Sequence, residues 1–513
     1  MQIRTWRPSP GALEIGSRVL LCLVVTFVLV LLPRHFSNSI VGQGNLMHAF
    51  RQSHTLVAVW SMLEGGPWLG YELPVLGPPW RMPFEFPLYE WCVAMLAWLG
   101  MPIVVAGRTA AFGFYLGSAP LVYLLATQLG QRPWQARVAA ALFLLSPELM
   151  YWSTTPLIES TALFFTLLGA AGFARWHQRP SGRALLVMAV GLGLGNLVKV
   201  TTVAPVLVAV VLFGVASAWR DIRTGNALRG PARWIGPASV VVSTLVLESL
   251  WVWYSDSLKA DVPFAREFLT SGATTRWYFG TWEQRVSREF WYEVLWRRTG
   301  SETFGNRHVW LVFLPLAAMA SARARKLIAL GLALSLFGMI TFVNVHVAHN
   351  YYQYATCGFT VVALGLGVAD LLASSRPWRP FLGLVILLAV IGTMTAGFFI
   401  HLYPWMATPS PRTTGLAHAI GRLVPPEDTA IVAGQDWSPL TAFLSQRKLV
   451  MNRENYRWTH PLMAETIELL EREGRAVRAV ASCSAQTHET SKEISRELGL
   501  RNFLEVDGCG IWH

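Results

Sequence analysis

Long apolar runs separated by short polar segments recur along residues 1–405. Runs of about 18–22 apolar residues match the roughly 30 Å hydrocarbon thickness of a bilayer, at 1.5 Å per helical residue. The pattern predicts an α-helical polytopic membrane protein with about eleven transmembrane helices. We place these helices approximately at 15–33, 104–128, 134–152, 156–176, 184–203, 204–219, 234–254, 307–321, 325–343, 352–373 and 380–403.

The apolar run at 86–100 is shorter and is interrupted by Glu90. We predict that it forms a re-entrant or interfacial helix that does not cross the membrane. With this assignment the clusters of Arg and Lys between later spans all fall on the cytoplasmic side, as the positive-inside rule requires. The loops at 34–103 and 255–307 and the C-terminal tail then lie outside.

The hydrophobic pattern changes at the tail. The segments DTAIVAG, RKLVMN, RAVRAVAS and NFLEV have the pattern of short strands, and TGLAHAIGRLV and HPLMAETIELLEREG have that of amphipathic helices. This alternation predicts a small α/β domain with a partly parallel sheet. The predicted domains are therefore a transmembrane domain at 1–405 and a soluble extracytoplasmic domain at 406–513.

Composition narrows the class of protein. Hydrophobic residues make up 53% of the 513 residues and charged residues 14%, which excludes a soluble globular chain. The net charge of +12 comes from short basic clusters between apolar runs, so it reflects membrane topology and not nucleic-acid binding. Cys483 and Cys509 both lie in the tail, where they could pair if it is exported or stay reduced.

Two carboxylates on the predicted external side are candidates for catalysis. Glu85 lies between Pro83 and Pro87, which restrict the backbone on both sides of it. Glu159 begins an apolar helix, where its simpler role is to complement the helix dipole. Either carboxylate could act as a general base, and the two together could hold a divalent cation such as Mg²⁺ or Mn²⁺.

Donor-rich side chains surround these acids in the predicted external segments. Arginine binds phosphate in a bidentate manner, and tryptophan can stack on a sugar ring. The simpler alternatives are head-group anchoring, snorkelling of a lysine, and an interfacial belt of aromatic residues. Our candidates for a donor phosphate are Arg51, Gln52, Lys199, His349 and Tyr351, and for an acceptor or sugar His48, His54 and Trp80.

The segments HAFRQSHT, EFPLY, YWSTTPLIESTALFF, NLVKVT and HNYYQY, in this order and spacing, resemble the bacterial membrane glycosyltransferases of the C superfamily. The resemblance is greatest to the family 39 and dolichyl-phosphate-mannose protein mannosyltransferase-like group, and it covers roughly residues 10–405. The family often has an acid near the start of the first loop. No Asp or Glu occurs between Arg34 and Thr55 here, and Glu85 is the nearest substitute.

The resemblance implies an enzyme of the bacterial inner membrane that uses a polyprenyl-phosphate-linked sugar as donor. The sugar would be transferred to a glycan, lipid or protein acceptor on the extracytoplasmic face, usually with inversion. Two other functions remain open from the residues themselves. One is an O-antigen ligase or polymerase that uses a diphosphate-linked oligosaccharide, and the other is a transporter or flippase of lipid-linked sugars.

Overall fold

The computed structural model of the protein describes residues 8–41, 48–224, 230–408 and 411–513, with the backbone alone at 230–232 and 273–274. Part of the predicted external loop, residues 42–47, lies outside this description. The chain divides into two compact units. The helical unit combines Met1–Phe36, Ala111–Ser249 and Arg276–Ala407, and the sheet unit combines Ser37–Ala110, Leu250–Thr275 and Thr408–His513.

Helices account for nearly all regular structure in the helical unit. Three helices, Ile103–Gln128, Gly230–Ala260 and Ala273–Phe279, have residues in both units. The longer helices are Pro10–Leu31, Pro133–Leu145, Glu159–Gln178, Gly182–Val198, Val200–Arg223, Ala322–Thr341, Gln353–Leu372 and Trp378–Gly397. The short helical segments are Leu32–His35, Pro147–Trp152, Ala273–Phe279, Trp282–Val286, Glu289–Thr299, Gly300–Phe304, Arg307–Val312, Phe313–Met319, Val343–Ala348, Asn350–Tyr352, Phe398–Leu402 and Tyr403–Ala407.

Seven helical segments of the described chain are long and apolar enough to cross a bilayer. They are Pro10–His35, Ile103–Gln128, Val200–Arg223, Arg233–Ala260, Ala322–Thr341, Asn350–Leu372 and Trp378–Ala407. The helical polytopic class is therefore confirmed, whereas the count of eleven spans stays a prediction. The helix Leu88–Trp98, predicted not to cross, has 11 residues and would extend about 17 Å at 1.5 Å per residue, well short of a bilayer core.

Two predicted helix boundaries differ from the structure. The span predicted at 134–152 is divided at Ser146, because Pro147 lacks an N–H group and forces the residue before it into an extended conformation. The break predicted between residues 203 and 204 lies instead at Lys199, whose backbone is extended between the helices Gly182–Val198 and Val200–Arg223.

The helices Glu159–Gln178 and Gly182–Val198 form a closely packed antiparallel hairpin. Gly169 and Gly191 face each other so closely that a Cβ on Gly191 would lie 2.1 Å from the Gly169 nitrogen. Small residues permit this approach of two helical backbones. The hairpin brings the start of its first helix, at Glu159, to the end of its second, beside Lys199.

The described residues of the sheet unit form five strands, which are β1 (Thr429–Ala433), β2 (Leu449–Asn452), β3 (Val477–Ser482), β4 (Phe503–Val506) and β5 (Cys509–Trp512). Their order in the sheet is β2-β1-β3-β5-β4. β1 pairs in parallel with β2 and β3, and β5 pairs antiparallel with β3 and β4, so the predicted partly parallel sheet is confirmed. The helices of this unit are Ala49–Leu63, Leu88–Trp98, Pro263–Phe268, Gly415–Leu423, Leu440–Ser445, Pro461–Arg472 and Ala485–Glu497.

The first loop packs into the same core as the tail. The backbone N–H groups of Leu449 and Met451 in β2 donate to the carbonyls of Pro74 and Val75, at 2.9 and 2.7 Å. Buried residues of both segments form one hydrophobic cluster. The tail therefore folds together with first-loop residues, a grouping that the sequence analysis does not predict.

Candidate active site

Three side chains of the first loop form a hydrogen-bonded array in the sheet unit. Arg51 Nη2 donates to Glu85 Oε1 at 2.8 Å, and Arg51 Nη1 lies 2.5 Å from His54 Nδ1. Arg51 and His54 are three residues apart in the helix Ala49–Leu63, so both point from the same face. We call Arg51, His54 and Glu85 the first-loop array.

The contact with Arg51 defines the protonation of His54. A guanidinium donates hydrogen bonds and accepts none, so Nδ1 must be the acceptor and the ring is neutral. Burial, with His54 only 2% exposed, and secondarily the charge of Arg51 hold the pKa of His54 well below its ordinary value of 6.5. His54 thus orients Arg51 without adding a second positive charge.

The carboxylate of Glu85 is partly exposed to solvent within this array. Its side chain is 19% exposed and that of Arg51 is 15% exposed, so a substrate can reach both. A carboxylate has two oxygens, and a hydrogen bond from Arg51 to one of them leaves the other able to accept a proton. The array can therefore combine a general base with a cationic donor.

The other predicted first-loop residues have different positions. His48 precedes the first turn of the helix Ala49–Leu63 with a left-handed backbone, φ 52°. Gln52 is buried on that helix. Trp80 is 1% exposed in the hydrophobic core, and its indole N–H donates to Glu473 at 2.9 Å. Because its ring is covered by protein, Trp80 has a packing role in this structure and no open face for a sugar.

A second array lies in the helical unit and contains the other predicted residues. Lys199 Nζ forms an ion pair with Glu159 Oε1 and lies 3.5 Å from the centroid of the Tyr352 ring and 5.2 Å from that of Tyr351. The His349 ring stacks on Tyr351 with centroids 5.2 Å apart. We call Glu159, Lys199, His349, Tyr351 and Tyr352 the lysine array.

The lysine array is almost closed to solvent. The side chains of Lys199 and Glu159 are 5% and 2% exposed. Burying two charges costs several kcal/mol per ion, which an ion pair recovers only with good geometry and further contacts. His346 nearby stays neutral, because burial, followed by the charges of Lys199 and Arg298, lowers its pKa to about 3. The array therefore contains a lysine that Glu159 neutralises, with the neutral imidazole of His346 near it.

The folded chain also reveals acidic residues to which the sequence assigns no role. Asn350 Nδ2 donates to Glu302 at 3.1–3.2 Å, and burial raises the pKa of Glu302 although the charge of Arg298 opposes this. Glu148 accepts hydrogen bonds from Thr303, at 3.2 Å, and from Cys357. Glu302 is distant in sequence from Glu148 and Asn350, so no local spacing could have predicted these contacts.

The carboxylates predicted to hold a divalent cation, Glu85 and Glu159, are not arranged as metal ligands in the described part of the chain. Within the described residues, no group of three or more His, Cys, Asp or Glu side chains is arranged to hold a metal ion. Glu85 and Glu159 are each bonded to a cationic side chain, Arg51 and Lys199 respectively. These two carboxylates thus already have partners of the charge that a metal would supply.

The sequence of residues 69–247 matches the family described as dolichyl-phosphate-mannose-protein mannosyltransferase. No curated protein matches the chain by sequence. The fold is similar to that of ArnT from Cupriavidus metallidurans in the apo state, with a TM-score of 0.64, 14% identity, and coverage of 97% of this chain and 98% of that chain.

Two further solved structures share the fold. ArnT from the same organism bound to undecaprenyl phosphate has a TM-score of 0.63 and 13% identity, covering 96% of this chain and 97% of that chain. The oligosaccharyltransferase of Archaeoglobus fulgidus in the apo form has a TM-score of 0.56 and 10% identity, covering 91% of this chain and 69% of that chain. At such low identity these likenesses show the fold alone.

The predicted resemblance to membrane glycosyltransferases of the C superfamily is confirmed by the family match and by the shared fold. The family match also confirms the predicted enzyme class, a glycosyltransferase.

Proposed function

We propose that this glycosyltransferase transfers a sugar from a polyprenyl-phosphate donor to a hydroxyl group on the extracytoplasmic face of a bacterial inner membrane. The observation that carries the proposal is the first-loop array, in which Arg51 holds the partly exposed carboxylate of Glu85 at 2.8 Å. A fixed carboxylate at a solvent-accessible position is what removal of a hydroxyl proton requires. The acceptor class, whether glycan, lipid or protein, is left open.

In the proposed reaction the acceptor oxygen attacks the anomeric carbon of the donor sugar. Glu85 takes the hydroxyl proton as the new carbon–oxygen bond forms. The bond between the anomeric carbon and the phosphate oxygen breaks, and its electron pair leaves with the polyprenyl phosphate. Attack from the face opposite the leaving group inverts the anomeric configuration. Arg51 orients Glu85 through its hydrogen bond, and His54 holds Arg51 in place.

We assign the lysine array to the phosphate of the donor. Lys199 is a compact ammonium group held between Glu159 and the Tyr352 ring, and fixed cations stabilise the charge that develops on a departing phosphate. His349 and Tyr351 extend the same array and would donate to the remaining phosphate oxygens. Gln52 and His48 remain candidates for donor and acceptor contacts in the sheet unit.

The helical unit offers a place for an apolar chain. A cavity of about 330 Å³ is lined almost entirely by apolar atoms, with the indoles of Trp291, Trp296 and Trp310 among its walls. A polyprenyl donor has a long hydrocarbon chain that would need such a surface. The ArnT structure bound to undecaprenyl phosphate has the same fold and gives a precedent for a ligand of this class.

The disulfide Cys483–Cys509 supports the extracytoplasmic location. Disulfides persist in oxidising compartments such as the bacterial periplasm and are rare in the cytosol. We therefore place the tail, and with it the first loop that shares its core, outside the cytoplasm. Because Glu85 and Glu159 already have cationic partners, the proposed mechanism uses no step through a divalent ion.

The direct test is sugar transfer by purified protein in lipid nanodiscs supplied with polyprenyl-monophosphate sugars, polyprenyl-diphosphate sugars, or neither. We expect transfer from a monophosphate donor. Glu85→Gln should lower kcat by about 10²–10⁴-fold, the usual contribution of a general base. Glu64→Gln, which changes an exposed acid in the same loop, should retain wild-type activity.

Other outcomes of this test identify the alternatives. Transfer from diphosphate-linked oligosaccharides alone would favour a ligase or polymerase. Movement of the donor across the bilayer without transfer would favour a flippase. Full activity of Glu85→Gln would remove Glu85 from the reaction.

A further inference from the structure

The loop that follows β1 in the tail, residues 434–439, carries Trp437 at the carboxyl end of a parallel strand. In open α/β sheets, loops at this edge are the usual place for ligand contacts. Gly434 and Asp436 both have positive φ angles, 84° and 52°, so the chain turns sharply on either side of Gln435. Trp437 is not among the site residues predicted from the sequence.

Trp437 packs against four aromatic rings from elsewhere in the sheet unit. Its ring centroid lies 4.8 Å from that of Phe50 and 4.8 Å from that of Phe268. The centroid of Phe84 is 5.7 Å away, and that of His54 is 6.1 Å away at an interplanar angle of 86°. The contacts with Phe50 and His54 are edge-to-face and those with Phe84 and Phe268 are tilted, and all four centroid distances lie in the range of favourable aromatic pairs.

These contacts join the tail directly to the first-loop array. His54, which touches Trp437, bonds to Arg51. Phe84, a further first-loop ring beside Trp437, immediately precedes Glu85 in the chain. Trp437 therefore contacts the two residues that lead to the array, His54, which bonds to Arg51, and Phe84, which precedes Glu85.

We propose that Trp437 is a positioning residue for the first-loop array, so that the C-terminal tail completes the catalytic site instead of forming a separate appendage. This inference rests on the proposed function for the assignment of Glu85 as base. Trp437 acts through His54 and Phe84, since it covers the imidazole and prevents the two segments from moving apart.

The loop that carries Trp437 is itself firmly held, as a positioning role requires. Thr441 Oγ1 donates to Gln435 Oε1 at 2.8 Å, and Arg453 pairs with Asp436 at 2.9 Å. A Cβ on Gly434 would lie 3.0 Å from the Ser484 nitrogen, so the turn is pressed against the residue that follows Cys483. The disulfide Cys483–Cys509 thus anchors the backbone on which the loop rests.

The first test compares the kinetics of Trp437→Ala, Trp437→Phe and Trp458→Ala in the same nanodiscs. Trp458 is a matched control, because it is also a half-buried tail tryptophan against the same core but contacts none of Phe50, His54 and Phe84 among the described side chains. Small displacements of catalytic groups can cost about 10²-fold in rate. We expect Trp437→Ala to lower kcat 10- to 100-fold with the KM for donor nearly unchanged, by the same principle.

Trp437→Phe preserves an aromatic ring and should recover most of the lost kcat, whereas Trp458→Ala should leave it unchanged. An equal loss of kcat in Trp437→Ala and Trp458→Ala would overturn the proposal, because it would indicate general loosening of the tail. Wild-type kcat in Trp437→Ala would also overturn it while leaving the proposed function intact.

A second measurement does not depend on activity. Diethyl pyrocarbonate acylates accessible neutral imidazoles, and modification of His54 can be quantified by mass spectrometry of the whole purified protein. We expect His54 to be protected in wild type and Trp458→Ala and to be modified at least tenfold faster in Trp437→Ala. Equal rates in all three would show that Trp437 does not cover His54. Failure of the transfer assay with wild type, by contrast, would remove the proposed function and the assigned role together.

Discussion

The two carboxylate–cation pairs of this protein have the same chemistry but very different surroundings. In the sheet unit, Glu85 and Arg51 are 19% and 15% exposed. In the helical unit, Glu159 and Lys199 are 2% and 5% exposed. A partly open carboxylate can reach an incoming hydroxyl, whereas a buried one mainly neutralises and fixes its cation. A carboxylate that pairs with a cation is therefore not necessarily the general base, because the base must also be accessible to the acceptor hydroxyl.

The largest loss of stability is expected when Glu159 is replaced, because Glu159 neutralises a buried lysine. Glu159→Gln leaves Lys199 charged and buried, and removal of one partner of a buried pair costs about 3–5 kcal/mol of unfolding free energy. Unfolding of the purified protein by a denaturing detergent measures this loss. The double variant Glu159→Gln/Lys199→Met should recover most of it, because no unpaired charge remains. A loss below about 1 kcal/mol in the single variant would mean that the pair is open to water, like a surface ion pair.

Removal of the disulfide Cys483–Cys509 should give the next largest loss of stability, and this loss should be confined to the sheet unit. Replacing Cys483 and Cys509 by Ser should lower the unfolding free energy of the sheet unit by about 2–4 kcal/mol, as expected for a native cross-link of this loop length. Limited proteolysis with sequencing of the fragments locates the destabilised segment. Cys357→Ser, which alters a buried cysteine of the helical unit, provides the control. New cleavage sites in the helical unit would contradict the assignment of the effect to the sheet unit.

Acidification should also affect the sheet unit selectively. The folded-state pKa of His54 lies well below 6.5, chiefly through burial, so the unfolded chain binds a proton first as pH falls. The stability contributed by neutral His54 is complete above about pH 6.5 and decreases below it. Unfolding measured between pH 8 and pH 5 should show this decrease in wild type and a smaller one in His54→Gln. Identical pH dependence in the two proteins would contradict a buried neutral His54.

Hydropathy predicted the helical class because bilayer thickness constrains every span in the same way, and strand periodicity predicted the tail sheet. Two helix boundaries were predicted wrongly, and local backbone geometry explains both. Pro147 divides a predicted span at Ser146, and the extended backbone of Lys199 ends a helix earlier than the apolar run suggests. The strand Cys509–Trp512 was missed because Gly508 and Gly510 favour a turn in the sequence and glycine is depleted in strands. Trp80 resembled an exposed stacking residue, yet the fold buries it against the tail.

The candidate site was predictable only in part. Glu159 and Lys199 could be selected because charged residues beside apolar runs are costly and usually functional. Glu85 was selected because prolines flank it, and Arg51 because a guanidinium binds phosphate. Their pairings could not be predicted, since each joins residues at least 34 positions apart. Trp437 gave no signal at all, because its importance comes from contacts with rings about 390 and 350 residues earlier in the chain.

In the proposed reaction Glu85 performs the chemistry, while Glu159 fixes a cation. The most direct test measures the single-turnover rate of sugar transfer and the unfolding free energy on the same preparation of Glu85→Gln. We expect the rate to fall by at least about 100-fold, as for loss of a general base, while the unfolding free energy changes by less than about 1 kcal/mol, as for a partly exposed pair. A wild-type rate, or a loss of rate that follows from unfolding, would contradict it.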